Sequence, residues 1–306
     1  MARISAVGTQ RVIDMIKTAF GPLGTIAQDP AVVEIMANPD GVVWVERVGE
    51  AMRDSGLVLT PDERLTIIEL VAGAVGLVCH PQNPRLSAII PEYRLRFRAW
   101  VPPVAEAPTF VARKPAIQLF TLEDYVRDGI MTQAQCEQIT AAVLARKNVA
   151  IAGGTGTGKT TLANACLDVI ADTQQRIFTL EALPELRCAA KNRVALYTRP
   201  GLASLRDLVQ DSLQGRPDRI IVGEVIDGAC YDMVKAFNTG HPGGLCTIHA
   251  DSVEETFERL EDLAAENPDA PPAERLARRI RRTIDMVVFL KRVPTGRRVE
   301  EVYYAR

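Results

Sequence analysis

The run Gly153-Gly154-Thr155-Gly156-Thr157-Gly158-Lys159-Thr160 fits the spacing G-x-x-x-x-G-K-[ST], with Thr161 directly after it. Glycines let successive backbone N–H groups turn inward around phosphate oxygens, and a helix that starts at Lys159 adds partial positive charge at its N-terminus. In such a loop the Lys159 ammonium reaches the β- and γ-phosphates, and the Thr160 hydroxyl ligates Mg²⁺. Apolar Val149-Ala150-Ile151 precedes the loop and Thr161-Leu162-Ala163-Asn164-Ala165 follows it. Strand, loop and helix therefore come in the order this chemistry needs. The dinucleotide spacing G-x-G-x-x-G does not fit: begun at Gly154, its last position falls on Lys159; begun at Gly156, on Thr161. A nucleoside triphosphate is expected rather than a nicotinamide dinucleotide.

Three further segments read as apolar strands that run into a titratable side chain. Arg219-Ile220-Ile221-Val222-Gly223-Glu224 places a carboxylate where parallel sheets bind ligands, to polarise an attacking water or hold Mg²⁺ directly or through water. Ile177 to Glu181 does the same, with a plain capped strand end as the alternative. Cys246-Thr247-Ile248-His249 follows the glycine-rich Gly240 to Gly244, and His249 suits a γ-phosphate sensor or a hydrogen-bond relay. Glu224, Glu181 and His249 are the candidate catalytic residues.

These side chains need a sheet with its strand ends aligned. From Asn148 onward, short apolar strands (148–153, 176–181, 194–198, 219–225, 245–249, 286–293) alternate with helical patterns (159–171, 203–214, 228–238, 253–265, 272–282). That alternation predicts an α/β domain with a mainly parallel sheet covered on both faces. The first third mixes elements: a strand at 42–47 after the turn Asn38-Pro39-Asp40-Gly41, and a helix beginning at Pro61 after Thr60. Tyr93 to Trp100 alternates Tyr93, Leu95, Phe97 and Ala99 with Arg94, Arg96 and Arg98, a strand with one buried and one basic face. The basic face is either simply solvated or aimed at an anion. Val101 to Pro115 holds Pro102, Pro103, Pro108 and Pro115 and reads as an irregular linker. The expected boundary follows it: an α+β domain over 1–115 and a phosphate-loop domain over 116–306.

Composition bounds the rest. The 306 residues carry a net charge of −2, with 47% hydrophobic and 24% charged residues, which argues against disorder and against a dedicated nucleic-acid binder. Of the 36 basic residues, 29 are arginine, a skew that suits phosphate and interface contacts but that a codon-composition bias would equally produce. Cys79, Cys136, Cys166, Cys188, Cys230 and Cys246 are scattered without a CxxC pair, so buried free thiols are expected, not a zinc site. No apolar run approaches the roughly 20 residues that cross a bilayer, and no signal peptide is expected. Arg275, Arg278, Arg279 and Arg282 would share one face of a helix. A solvated or subunit-facing helix is the plain reading, and contact with anionic lipid or nucleic acid the sharper one.

Taken together, the loop at 153–161, Arg216 to Val225 and Asn238 to Asp251 resemble the secretion-ATPase superfamily, and more narrowly the TrbB-type conjugal-transfer ATPases, relatives of the type IV secretion traffic ATPases. Glu34 to Glu46 and the segments Pro102-Pro103 and Arg113-Lys114-Pro115 resemble that family's N-terminal domain and linker. The resemblance implies a RecA-like phosphate-loop NTPase domain binding ATP and Mg²⁺. It implies a homohexameric ring at the cytoplasmic face of the inner membrane, with nucleotide between the two domains. Such a ring works with inner-membrane components of a conjugation or type IV secretion apparatus, and peripheral membrane contact fits it. Glu224 becomes the Walker B glutamate, Glu181 part of the acidic box and His249 of the histidine box. Arg96, Arg98 and Arg113 become the arginines that reach phosphate. The chain departs from the pattern at Ala182, where Asp is usual, at Ile226, where Arg is usual, and at Gln210 and Gln214, where arginines are expected. A nucleotide-binding ring scaffold with weak hydrolysis is accordingly the alternative function.

Overall fold

Helix starts are written locally. Thr60 accepts from the Glu63 N–H (3.2 Å) while the Thr60 N–H donates to Glu63 Oε2 (2.7 Å), and Pro61 fills the first helical position. These bonds hold the Glu63 carboxyl below its ordinary range. The same reciprocal cap begins the helices Leu122–Arg127, Gln133–Leu144 and Leu205–Gln214. The computed structural model describes residues 14–48, 50–90, 93, 95–114, 120–199, 201–294 and 296–305. The chain divides into two compact units, Met1–Ile117 and Gln118–Arg306.

The first unit holds strands β1 (Val32–Ala37), β2 (Val42–Arg47), β3 (Arg53–Val58), β4 (Arg85–Ile90), β5 (Leu95–Trp100) and β6 (Thr109–Arg113). They form one antiparallel sheet in the order β3-β2-β1-β6-β5-β4. Helices Pro22–Gln28 and Pro61–Ala74 supply Leu23, Ala27, Ile67, Ile68 and Val71 to its core. β5 alternates as expected, with Leu95, Phe97 and Ala99 buried and Arg96 and Arg98 exposed; Arg94 lies outside the described residues. The linker expectation over Val101–Pro115 is corrected. Only its first half is irregular, with a cis Pro102–Pro103 bond. The proline-free Thr109–Arg113 is β6, paired on both sides, to β5 and to β1. Proline density disguised a central strand because the prolines flank it rather than interrupt it.

Arg64 is the largest fully buried side chain of this unit, 1% exposed. Its guanidinium donates to Pro108 O (2.6 Å), Pro39 O (2.9 Å) and Leu59 O. One side chain thus ties the β1–β2 turn, the helix start and the entry to β6, and burial is offset by three bonds in a fork that lysine cannot copy.

The second unit is built on β7 (Val149–Gly153), β8 (Ile177–Glu181), β9 (Arg193–Tyr197), β10 (Arg219–Val222), β11 (Leu245–Ile248), β12 (Met286–Val293) and β13 (Gly296–Tyr304). The order is β13-β12-β7-β11-β10-β8-β9, and all neighbours are parallel except the β12–β13 hairpin. Alternate residues feed two cores. Ala150, Ala152, Ile220, Val222, Cys246 and Ile248 face helices Leu205–Gln214, Ala229–Asn238, Val253–Ala265 and Ala273–Thr283. Val149, Ile151, Ile221 and Leu245 face helices Leu122–Arg127, Gln133–Leu144 and Lys159–Val169. The six cysteines are buried and unpaired. Among the described residues no helix is long and apolar enough to cross a membrane.

The arginine helix differs from its expected single basic face. Arg279 donates to the Tyr231 hydroxyl (2.8 Å) and lies over that ring, while Arg281 pairs with Glu254 at 2.7 Å. Arg275, Arg278 and Arg282 remain exposed.

Both tryptophans, Trp44 and Trp100, lie in the first unit, so their fluorescence reports its unfolding alone. Arg64→Ala strands three carbonyls and should destabilise this unit by about 3 kcal/mol or more. Arg64→Lys should recover only part of that. A urea transition followed by tryptophan emission that is unmoved by Arg64→Ala would contradict the role given to this side chain.

Candidate nucleotide site

Because β7, β11, β10 and β8 run parallel and in register, their carboxyl ends come out on one edge. Ala152 pairs with Ile248, Cys246 with Val222, and Val222 with Leu180. Gly153, Glu181 and, just beyond their strands, Glu224 and His249 therefore share that edge. β10 stops at Val222, short of the expected 225, although the Gly223 N–H still donates to Leu180 O (2.9 Å) and the Val225 N–H to Thr247 O (2.9 Å).

The phosphate loop runs from Gly153 into the helix Lys159–Val169, whose cap is Gly158 at φ +94°. Gly153 sits at φ +154°, and a Cβ there would stand 2.5 Å from Leu290 O and 2.7 Å from Thr157 Oγ1. Thr157 Oγ1 donates to Gly154 O (2.9 Å) and closes the loop from inside. Thr155, Gly156 and Thr160 lie between these anchors, with Thr160 half-buried in the first helical turn and Thr161 buried behind it.

Lys159 is 7% exposed. Its ammonium donates to Gly153 O (2.8 Å) and Gly154 O (2.9 Å) and lies 3.2 Å from His249 Nδ1. Burial lowers its pKa, and Glu224 partly opposes that. An ammonium has only donors, so Nδ1 must accept. The proton of the neutral imidazole then belongs on Nε2, which lies 2.8 Å from Glu224 Oε1. The structure thus joins three of the residues picked out by sequence into one chain, Lys159–His249–Glu224.

Glu181 is placed otherwise. It is buried at the end of β8, and its Oε1 accepts from the Glu185 N–H (2.9 Å) and the Leu186 N–H (2.7 Å). Its Oε2 is buried without a hydrogen-bond partner. Burial pushes its pKa up to about 7, against the lowering by those two N–H groups. Gly223 leaves it room: a Cβ there would meet Glu181 Cγ at 2.9 Å. Ala182 and Ile226 are exposed, as are Gln210 and Gln214 on their helix.

Thr160 and Glu224 are oxygen donors, the set a hard cation takes. The orphaned Glu181 Oε2 would accept from a water, including a metal-bound one. Among the described residues no group of three or more His, Cys, Asp or Glu could hold a metal by itself. The donor set fits Mg²⁺ carried largely by phosphate oxygens.

Arg96, Arg98 and Arg113 belong to the other unit. Arg113 of β6 stands opposite Arg96 of β5 and Glu34 of β1, and Arg98 opposite Val111. Burial raises the Glu34 carboxyl pKa, and Arg113 counters it. Sequence reading missed two residues beside the loop. Asp251, two residues after His249, has a carboxylate oxygen 3.8 Å from where a Gly154 Cβ would be. Arg297, on the unforeseen β13, packs over Gly158. The signal for β13 was present in Pro294-Thr295-Gly296 between two alternating runs.

The family pattern described as "Type II/IV secretion system protein" matches residues 79–300, which include the loop, Glu181, Glu224 and His249. The probable conjugal transfer protein TrbB of Sinorhizobium fredii is 39% identical over 295 residues, 95% of this chain and 89% of that protein. The type IV secretion system protein VirB11 of Bartonella quintana is 29% identical over 340 residues, 97% of this chain and 94% of that protein. The crystal structure of the VirB11 ATPase from the Brucella suis type IV secretion system, in complex with sulphate, aligns with a TM-score of 0.52 at 28% identity, covering 97% of this chain and 96% of that one. A pattern spanning most of the chain and a relative at 39% identity place this protein in the type II/IV secretion family, as a secretion ATPase of the TrbB and VirB11 kind.

Proposed function

We propose that this protein is the Mg²⁺-ATP-driven motor of a conjugative transfer or type IV secretion apparatus. It would act as a homohexamer on the cytoplasmic side of the inner membrane, bound there to membrane components of the apparatus. The observation that carries the reading is the Lys159–His249–Glu224 chain at the carboxyl edge of β7, β11 and β10. Its residues divide the work. The loop N–H groups and Lys159 bind the β- and γ-phosphates. Bound Mg²⁺ supplies charge neutralisation at those oxygens, with Thr160 and Glu224 as its protein donors. Glu224 accepts a proton from, or orients, the attacking water. His249, neutral and donating from Nε2, holds the Glu224 carboxylate and reports occupancy of the lysine. Arg96, Arg98 and Arg113 are the proposed additional phosphate contacts.

A second reading, a nucleotide-binding ring scaffold with weak hydrolysis, is favoured by Ala182 and Ile226, which lack a carboxylate and a guanidinium at exposed positions beside the site. Phosphate release by the assembled oligomer separates the two: brisk turnover eliminates the scaffold.

Lys159→Ala should abolish ATP binding and turnover. Glu224→Gln and His249→Ala should keep ATP affinity while lowering kcat by about 10² to 10³. Retained turnover in Lys159→Ala would sink the assignment. Loss of ATP affinity with unchanged chemistry in Glu224→Gln would remove its catalytic role.

Glu181 adds a pH dependence. Its folded pKa of about 7 stands above the ordinary 4.5, so between these values the folded state keeps a proton that the unfolded chain has released. Stability from this group therefore falls as pH rises through that window. Glu181→Gln removes the titration and should gain stability relative to the parent on going from pH 4.5 to 8, by about 3 kcal/mol. A stability difference independent of pH, followed by far-ultraviolet circular dichroism in urea, would refute this.

A further inference from the structure

Arg297 has no role in the site as described so far, yet it touches the phosphate loop. A Cβ on Gly158 would stand 2.5 Å from an Arg297 Nη nitrogen, 3.2 Å from its Cδ and 3.5 Å from its Cζ. The guanidinium thus lies against the cap of the helix Lys159–Val169, on the residue that precedes the phosphate-binding lysine. It is held there by the Phe120 ring, whose centroid is 5.9 Å from Cζ. Arg297 is half-buried, and among the described residues it has no carboxylate or hydrogen-bond partner.

The surrounding charge is lopsided. Arg292 of β12 is directly opposite Arg297 of β13, and the neighbouring pair is Lys291 with Arg298. Arg298 pairs with Glu300, which also feels the charge of Lys291, whereas among the described residues Arg292 and Arg297 form no ion pair. Like charges directly opposite on paired strands repel. A hairpin that sets two arginines face to face beside a phosphate loop gains most from an anion.

Strand order says which part of the anion. β11 and β10, which carry His249 and Glu224, lie on one side of β7, and β12 and β13 lie on the other. A nucleotide whose γ-phosphate points at Glu224 therefore runs back across the loop toward β12 and β13. Its α-phosphate and nucleoside would then leave over Gly158, the residue that Arg297 touches.

We propose that Arg297 is a nucleotide-binding residue that grips the α-phosphate of a nucleoside di- or triphosphate, with Phe120 holding its guanidinium in place. The inference rests on the nucleotide reading given above. It extends that reading from the γ-phosphate end of the site to the nucleoside end. Because ADP and ATP share the α-phosphate, Arg297 acts on both, whereas a γ-phosphate contact acts on ATP alone.

The test is titration of fluorescent ADP and ATP analogues into the full chain. Arg297→Met keeps the aliphatic stem over Gly158 and removes the charge together with the donor fork. It should weaken ADP and ATP by the same factor, about tenfold, and raise KM for ATP to match. Wild-type affinity in Arg297→Met would show that the arginine merely packs, and would overturn the proposal. Weakening of ATP but not ADP would overturn the α-phosphate assignment. Should Arg297→Met fail to fold, Arg297→Lys keeps stem and charge but loses the fork, and should weaken both nucleotides severalfold; unchanged affinity there also overturns it. The nucleotide reading itself fails differently: the unaltered protein would bind neither nucleotide, or Lys159→Ala would bind as well as the parent, and the proposal would fall with it.

Discussion

Burial of the Lys159 ammonium is the constraint from which much of the second unit follows. A cation at 7% exposure is tolerated only with its donors satisfied. Here two loop carbonyls and an imidazole nitrogen do that. Carbonyls can point inward only where the backbone takes the turn at Gly153, a position where a Cβ would press on Leu290 O and Thr157. The imidazole reaches the ammonium from just beyond β11, the strand that pairs with β7. Once Nδ1 accepts from a lysine, the other ring nitrogen is a donor, and Glu224, just beyond the end of β10, is its acceptor. The tautomer and the glycine are consequences of one buried charge.

The two units solve different packing problems with their sheets. The second covers both faces, so β7, β8, β10 and β11 are buried along their whole length, and the chemistry gathers at their carboxyl ends. The antiparallel β13 completes one edge, and it brings Arg297 to the loop. The first unit alternates buried and exposed residues on β4 and β5. One face packs on helices, and the other carries Arg96, Arg98, Arg113 and Glu34; Arg113 stands opposite Glu34 on β1 and opposite the like charge of Arg96 on β5.

What was legible in the sequence depended on the range of the forces involved. The phosphate loop and the caps at Thr60 and Ser204 are local, and their residues state them directly. The inner strands of the second unit were legible because burial on both faces makes them short, mainly apolar runs. β6 was hidden by flanking prolines and β13 by its charges. Arg64 sits in a helix where an arginine normally marks the solvent face. Nothing near it in sequence says that Pro39, Leu59 and Pro108 will present carbonyls to it. The Lys159–His249–Glu224 chain was suspected residue by residue, but its connectivity needs the β7-β11-β10 order, which depends on long-range pairing.

Ala182 and Ile226 are both exposed, so neither side chain is part of the core. Any effect they have is confined to charge at the site. Glu181 then stands without a neighbouring aspartate, and its proton affinity is set chiefly by burial and by two backbone N–H groups. A carboxyl in that setting titrates close to neutrality, whereas an ordinary glutamate would already be ionised. Its free Oε2 can therefore donate in the protonated state and accept in the ionised one. A second carboxylate beside it would have pushed the proton affinity higher still through like-charge repulsion. With Ala182 beside it, Glu181 is more readily ionised at neutral pH than it would be next to a second carboxylate.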